Sequence, residues 1–181
     1  MLPDPEQSLP PRWLQFLRNV DEQLDVSVEL HCLGGFVLAA VYGLPRPTAD
    51  VDYIAAIPSD SLEELERIAG RHSTLAKNQG IYLQYVTVAD IPEDYEQRLT
   101  ELFAGQFSHL RLLALDVHDL ILAKLVRNSP VDLEDAKFLA NAGVIDEELL
   151  KKRYERGLRP NLSNEKRHDL TLAVWLEACF R

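Results

Sequence analysis

Two aspartates, Asp50 and Asp52, have the type and spacing that most directly suggest chemistry. They open the run DVDYIAAI, whose β-branched and apolar residues are typical of a strand. Side chains at positions i and i+2 of a strand point to the same face, so both carboxylates should lie side by side. One or two carboxylates, completed by waters and phosphate oxygens, are what Mg²⁺ needs. The alternative is structural, with Asp50 capping a turn and Asp52 solvated.

A pair of glycines, Gly34 and Gly35, stands between the strand-like run VSVELHCL and the short apolar run FVLAAVYGL. Such a turn lets the backbone approach a phosphate and leaves free N–H groups at the positive end of the helix. Arg46 and Thr48 add a guanidinium for a phosphate and a hydroxyl just before the acids. The ordinary interpretations are a tight turn between strand and helix and an exposed arginine in a proline-flanked loop.

Together, the glycine pair and the spaced run RPTADVD, residues 46–52, resemble the signature of the nucleotidyltransferase superfamily with the polymerase-beta-like fold. The pattern is most similar to the AbiEii-type and minimal-nucleotidyltransferase relatives of bacterial toxin–antitoxin systems. The resemblance implies that Asp50 and Asp52 bind Mg²⁺ or Mn²⁺ and that Gly34 and Gly35 lie at the nucleotide phosphates.

A second stretch, DLILAKLVRNSPVDLEDAKFL at residues 119–139, resembles the Leu-x-x-x-Lys helix and the Asp-x-x-Asp helix of the same relatives. Lys124 falls within an apolar helical stripe, where a lysine must snorkel, find a partner or face a cavity. The resemblance suggests a catalytic lysine that faces a cleft near the nucleotide. Asp132 and Asp135 are weaker candidates for the site, because both also suit the start of a helix expected from residue 132.

Two positions depart from the family pattern. Phe36 follows the glycines where active members carry Ser or Thr, and Gln84 stands in the expected third strand, residues 81–90, where a third carboxylate would be. Asp90 has the same strand parity as Gln84 and is the remaining acidic candidate. Two functions therefore stay open: transfer of a nucleoside monophosphate from an NTP to an RNA or protein hydroxyl, or an inactive binding module, such as a toxin–antitoxin component that acts through protein contacts.

The order of the elements favours an α+β fold, because strand-like and helical runs alternate up to residue 115 and only helical patterns follow. We expect a nucleotidyltransferase-like mixed sheet flanked by helices over residues 1–115 and a helical C-terminal region, packed on it, over residues 116–181. Apolar residues of the last helix are expected to form core or the seam of a homodimer: Leu170, Val174, Trp175 and Phe180.

The overall charge of the 181-residue chain is −10, which argues against nucleic-acid binding over the whole surface. Residues 151–167 are an exception, with seven Lys and Arg against two Glu. This segment is either a solvated helix face or a surface for tRNA, other RNA or an acidic partner protein. No apolar run approaches the roughly 20 residues that span a bilayer, and Cys32 and Cys179 lie far apart in apolar surroundings. We therefore expect a cytoplasmic protein without a membrane partner.

Overall fold

The computed structural model describes residues 11–46 and 48–181. Within them the chain forms two compact units. The first comprises residues 11–88 and 99–114 and contains the β-sheet. The second comprises residues 89–98 and 115–181 and is built from helices and turns.

The sheet of the first unit has five strands in the order β3-β2-β1-β5-β4. The strands are β1 (Val28–Leu33), β2 (Asp50–Ile57), β3 (Tyr82–Tyr85), β4 (Thr100–Leu102) and β5 (Leu110–Ala114). β1 runs antiparallel to β2 and parallel to β5, while β3 is parallel to β2 and β4 is antiparallel to β5. The predicted mixed sheet and α+β class are confirmed.

Helices of the first unit cover this sheet: α1 (Pro11–Asp21), α2 (Gly34–Tyr42), α3 (Leu62–Ala69) and α4 (Thr74–Gln79). α2 packs against β1 and β2, α3 packs against β3, and α1 packs against β5 and α4. The apolar stripe of α1 provides a large share of the core, since Phe16, Leu17 and Val20 are fully buried. These contacts hold the start of α2 against the two central strands.

A single carboxylate joins the end of α1 to the start of β5. Asp21 accepts hydrogen bonds from the backbone N–H groups of Ser108, His109 and Leu110 at 2.9, 2.7 and 2.7 Å. Burial would raise the pKa of Asp21, but the three backbone donors outweigh it and hold the pKa below its usual value. Asp21 therefore fixes α1 to a strand almost 90 residues further along the chain.

The helices of the second unit are α5 (Val117–Arg127), α6 (Pro130–Asn141), α7 (Glu147–Arg153) and α8 (Glu165–Phe180). α5 packs against the other three. Trp175 of α8 is buried and its indole N–H donates to the side-chain oxygen of Asn128 at 3.0 Å. Leu170 and Val174 are 68% and 53% exposed, so the apolar residues of α8 divide between core and surface.

Two element boundaries differ from the sequence prediction. β3 ends at Tyr85 rather than near residue 90, and its ladder with β2 covers only Asp50–Tyr53, although β2 continues to Ile57. α6 begins at Pro130 with Ser129 as its N-cap, so Asp132 is the third helical position and closes a capping box rather than being the N-cap residue itself. No helix in the described part of the chain is long and apolar enough to cross a membrane.

Candidate functional site

Asp50 and Asp52 lie at the start of β2 and share one face of the sheet. The alternate residues Val51 and Tyr53 are buried on the other face, whereas both aspartates are partly exposed. The apolar face anchors the strand, and the acidic face leaves both carboxylates accessible to solvent. The alternation read from the sequence is therefore present in the structure.

The register of the sheet brings Asp52 to the beginning of α2. Asp52 pairs with Leu33, the last residue of β1, and Gly34 follows with a φ of +76°. A Cβ atom built on Gly34 would lie 3.1 Å from Cγ of Asp52 and would overlap Oδ2 of the same carboxylate. Only glycine fits this position, both because of the positive φ and because the carboxylate occupies the space.

The first turn of α2 presents backbone N–H groups beside that carboxylate. Leu33 is the N-cap residue, is extended, and its own side chain does not cap the helix. The N–H groups of the first turn and the helix dipole make this end of α2 favourable for anions. Phe36, which replaces the expected Ser or Thr, is fully buried and its ring packs 5.3 Å from that of Trp13. Its side chain therefore belongs to the core.

Thr48 supports the acidic pair from the loop before β2. Its hydroxyl donates a short hydrogen bond to the carboxylate of Asp50. A Cβ atom on Gly35 would lie 3.5 Å from Cβ and Oγ1 of Thr48, so the second glycine is adjacent to this loop. Arg46 is exposed in the same loop, and Pro47 lies outside the described residues. The loop thus positions one carboxylate by a direct hydrogen bond.

The acidic pair is suited to bind Mg²⁺ or a similar ion whose remaining ligands are water and substrate oxygens. Among residues 11–46 and 48–181, no group of three or more His, Cys, Asp or Glu side chains is placed to hold a metal. A complete protein cage is therefore lacking within that part of the chain. Mg²⁺ commonly keeps several waters and takes only one or two carboxylates plus phosphate oxygens, which is what Asp50 and Asp52 offer.

A neutral amide stands next to the acidic pair on the neighbouring strand. Gln84 of β3 is the direct partner of Asp52 in the parallel ladder, and its side chain donates to the carbonyl of Tyr85 at 3.1 Å. Asp90 is exposed and lies beyond the end of β3, in the second unit. Because Asp90 is not in the strand, the strand parity that related it to Gln84 does not apply. A role for Asp90 in the site stays a prediction.

Lys124, Asp132 and Asp135 form one buried cluster in the second unit. The ammonium of Lys124 lies 2.8 Å from Oδ2 of Asp135 and 3.3 Å from Oδ1 of Asp132. Lys124 is 5% exposed and Asp132 is fully buried. Of the three alternatives for a lysine in an apolar stripe, the structure shows the second, a lysine with partners. A catalytic role for the cluster stays a prediction.

Asp132 is the most heavily bonded member of this cluster. It accepts from the guanidinium of Arg127 and from the hydroxyl and backbone N–H of Ser129, closing a capping box at the start of α6. Burial would raise the pKa of Asp132, but these hydrogen bonds and the charge of Lys124 hold it well below its usual range. The carboxylate is therefore ionised, and it joins α5 to α6.

The predicted site residues thus gather in two places. Near the start of β2 the structure brings together five of them: Gly34, Gly35, Thr48, Asp50 and Asp52. In the second unit it brings together Lys124, Asp132 and Asp135. Sequence reasoning missed Tyr82, which is the ladder partner of Asp50 and accepts a hydrogen bond from Arg71. An isolated tyrosine in an edge strand has no motif that would reveal this position.

A comparison with known families places most of the chain in one of them. Residues 14–178 match a family described as nucleotidyltransferase of unknown function (DUF6036), which covers most of the chain. No curated protein and no solved structure matches the chain. The expected closeness to the AbiEii-type relatives stays a prediction.

Proposed function

The chain belongs to this family of nucleotidyltransferases, and we propose that it transfers a nucleoside monophosphate from an NTP to a hydroxyl of RNA or protein, with Mg²⁺ or Mn²⁺. The observation that carries the proposal is the placement of Asp52 against Gly34. It combines, at one point, a carboxylate for a cation and a helix start that favours phosphate oxygens.

Each predicted site residue near the start of β2 has a role in this proposal. Asp50 and Asp52 would hold the ion, which when bound neutralises the triphosphate and stabilises the attacking and leaving oxygens. Thr48 orients Asp50 by its hydrogen bond. Gly34 and Gly35 let the backbone N–H groups of α2 approach the phosphates.

Arg46 is our preferred cation for the charge that develops on the phosphates. It is exposed in the loop that also carries Thr48. The ammonium of Lys124 is already shared between two carboxylates, which favours a structural part for that residue. Gln84 has no basic group that could accept the proton of the attacking hydroxyl.

The second candidate is a nucleotidyltransferase-fold binding module, for example a component of a toxin–antitoxin pair related to the AbiEii type. Two observations favour it. Gln84, an amide, stands beside Asp52 in the position expected for a third carboxylate, and Phe36 is committed to the core. Such a module would keep an affinity for the metal–nucleotide complex or for a partner protein but would lack turnover. A homodimer through Leu170 and Val174 of α8 belongs to the same proposal.

A label-transfer assay separates the two candidates. The protein is incubated with each α-labelled NTP, Mg²⁺ or Mn²⁺, total tRNA and cell lysate, beside the Asp50→Asn/Asp52→Asn double variant. Asp25→Asn/Asp60→Asn, at two exposed aspartates of the same unit, is the charge-matched control. Transfer that is lost only in the first variant supports the enzyme and identifies its acceptor. Metal-dependent NTP binding without transfer supports the binding module, and the absence of both contradicts the two candidates.

A further inference from the structure

A groove in the second unit carries an excess of positive charge. It has a volume of about 440 Å³, within the range of small-ligand pockets, and lies between residues 93–98 and the end of α7. Its charged lining residues are Glu93, Asp94, Arg98, Lys152, Arg153 and Arg156. We call it the basic groove.

Two of its arginines are held in place by one buried carboxylate. Arg98 binds Asp119 through Nε at 2.8 Å and Nη2 at 3.2 Å, and Arg153 reaches the same carboxylate at 3.2 Å. Asp119 is fully buried, so these ion pairs are shielded from solvent on one side. Asp94 occupies the other edge of the Arg98 guanidinium, through Nη1 at 2.7 Å and Nη2 at 2.9 Å, so Arg98 has little left to offer a ligand. Arg153, which is ordered by the same buried carboxylate, loses little further entropy when it binds one.

Both acidic residues of the lining are already engaged. Asp94 forms an ion pair with Arg98 at 2.7 Å, and Glu93 accepts a hydrogen bond from Asn161 at 3.1 Å. The charge of Asp94 is therefore compensated, whereas Glu93 keeps its charge because Asn161 is neutral. Two cations, Lys152 and Arg156, outnumber Glu93 among the lining residues that have no ion pair within residues 11–46 and 48–181, so the remaining charge is positive.

Lys152 and Arg156 supply that charge. Both are exposed, and neither forms an ion pair with a residue in the described part of the chain. They are four residues apart, where α7 widens into the π-helical turn Tyr154–Leu158. Turns of this kind are frequent at functional sites. Both side chains line the same groove as the two anchored arginines.

The two walls of the groove are joined beside these side chains. The backbone N–H of Glu93 donates to the carbonyl of Gly157 at 3.4 Å. A Cβ atom on Gly157 would lie 3.1 Å from Cβ of Pro92, so the walls approach closely there. The shape of the groove is thus set by contacts within the second unit.

From this geometry we infer that the basic groove binds a phosphate group, carried either by the backbone of an RNA strand or by a free phosphate ester. Guanidinium groups match phosphate oxygens with paired hydrogen bonds, and an adjacent lysine adds a point charge. The inference goes beyond the proposed function, because binding in the groove requires neither an NTP nor a metal. It assigns a role to the start of the basic segment at residues 151–167.

The test measures the anisotropy of a fluorescent single-stranded RNA in EDTA and without nucleotide. Lys152→Ala/Arg156→Ala is compared with Lys166→Ala/Arg167→Ala, which removes the same charge from exposed positions outside the lining. We expect the groove variant to bind about tenfold more weakly and to lose part of the salt dependence, while the control binds almost as the wild type. Equal losses in both variants, or a loss in neither, would overturn the inference.

Competitors then identify the source of the phosphate. Displacement of the RNA by millimolar inorganic phosphate or 5′-AMP supports a free phosphate ester, and RNA binding that resists them supports the phosphodiester backbone. Displacement by poly-glutamate at equal charge, to the same extent, would overturn the inference in favour of an acidic protein partner. Asp50→Asn/Asp52→Asn should bind the RNA as tightly as the wild type, so a failure of the proposed function is distinguishable from a failure here.

Discussion

Oδ2 of Asp52 occupies the space that a Cβ atom on Gly34 would need, so the carboxylate and the glycine depend on each other. The register of β1 against β2 creates this relationship, since it places Leu33 opposite Asp52 and Gly34 directly after it. A negatively charged group is thereby fixed at the start of α2, where the N-cap residue Leu33 provides no polar side chain. A cation held there would complement the carboxylate, and phosphate oxygens would complement the N–H groups.

Replacing Gly34 by alanine should weaken metal-dependent nucleotide binding by more than the backbone strain of the substitution explains. Gly34 and Gly43 border the same helix at φ of +76° and +69°, but a Cβ atom on Gly43 meets nothing within 4 Å. Both substitutions should cost about 1–2 kcal/mol of stability from the left-handed backbone. Only Gly34→Ala should also displace Asp52. We expect metal-dependent nucleotide binding, measured by calorimetry, to weaken strongly in Gly34→Ala and to be kept in Gly43→Ala, and equal binding in the two would contradict this.

The hydroxyl of Thr48 should contribute through the orientation of Asp50. Thr48→Val preserves the shape of the side chain but removes the donor to the carboxylate, whereas Thr48→Ser keeps it. Loss of a hydrogen bond to a charged group costs about 1.5–3 kcal/mol. We therefore expect metal-dependent nucleotide affinity to fall by about tenfold or more in the valine variant and to be largely retained in the serine variant. A serine variant as weak as the valine variant would show that the methyl group matters instead.

The buried cluster of the second unit should be sensitive to the loss of one charge. Asp135→Asn leaves Lys124 with a single carboxylate in a buried position, and breaking a buried pair costs about 3–5 kcal/mol. Glu134→Gln, in the same helix, disturbs a pair in which the glutamate is 70% exposed, and should change stability by less than about 0.5 kcal/mol. Urea unfolding followed by circular dichroism measures both. Similar urea midpoints for the two variants would contradict a structural role for the cluster.

Asp116 should stabilise the protein in a pH-dependent way. Burial would raise its pKa, but hydrogen bonds from His118 and the charge of Arg153 lower it to about 2. The unfolded pKa is about 3.9, so the stabilisation is complete above about pH 5 and is lost as the pH falls towards 2. Asn caps a helix as well as Asp does, so Asp116→Asn removes mainly the charge.

The expected cost of Asp116→Asn is about 2 kcal/mol near pH 7, shrinking as the pH falls from about 4 to about 2. Urea unfolding at pH 7, 4 and 2 measures the difference from the wild type at each pH. A difference that stays constant over this range would show that the carboxylate charge is not what stabilises the folded state.

Much of the fold could be predicted because local patterns and tertiary structure agree. Alternating burial over the first four residues of β2 follows from DVDYIAAI, and the short helix α2 ends where Gly43 takes a positive φ. The short elements α4 and β4 could not be predicted, since six and three residues are too few to show a periodicity. The β-branched run after Tyr85 was mistaken for strand, because pairing partners decide where a strand ends and the sequence does not reveal them.

Part of the candidate site could likewise be predicted from the sequence, and part could not. That Asp50 and Asp52 share a face follows from parity alone. That Asp52 lies against Gly34 requires the register of two strands, which no local pattern encodes. The partners of Lys124 lie 8 and 11 residues away, across the turn between α5 and α6, and only the packing of the two helices brings them to it.

The most direct test of the metal–nucleotide site is calorimetric titration with a non-hydrolysable NTP analogue, with Mn²⁺ and with EDTA. Wild type, Asp50→Asn/Asp52→Asn and Asp25→Asn/Asp60→Asn are compared after their folding has been checked by thermal unfolding. We expect binding that requires the metal, is lost in the first variant and is kept in the second. Binding that survives loss of both Asp50 and Asp52, or that ignores EDTA, would contradict a metal–nucleotide site at the start of α2.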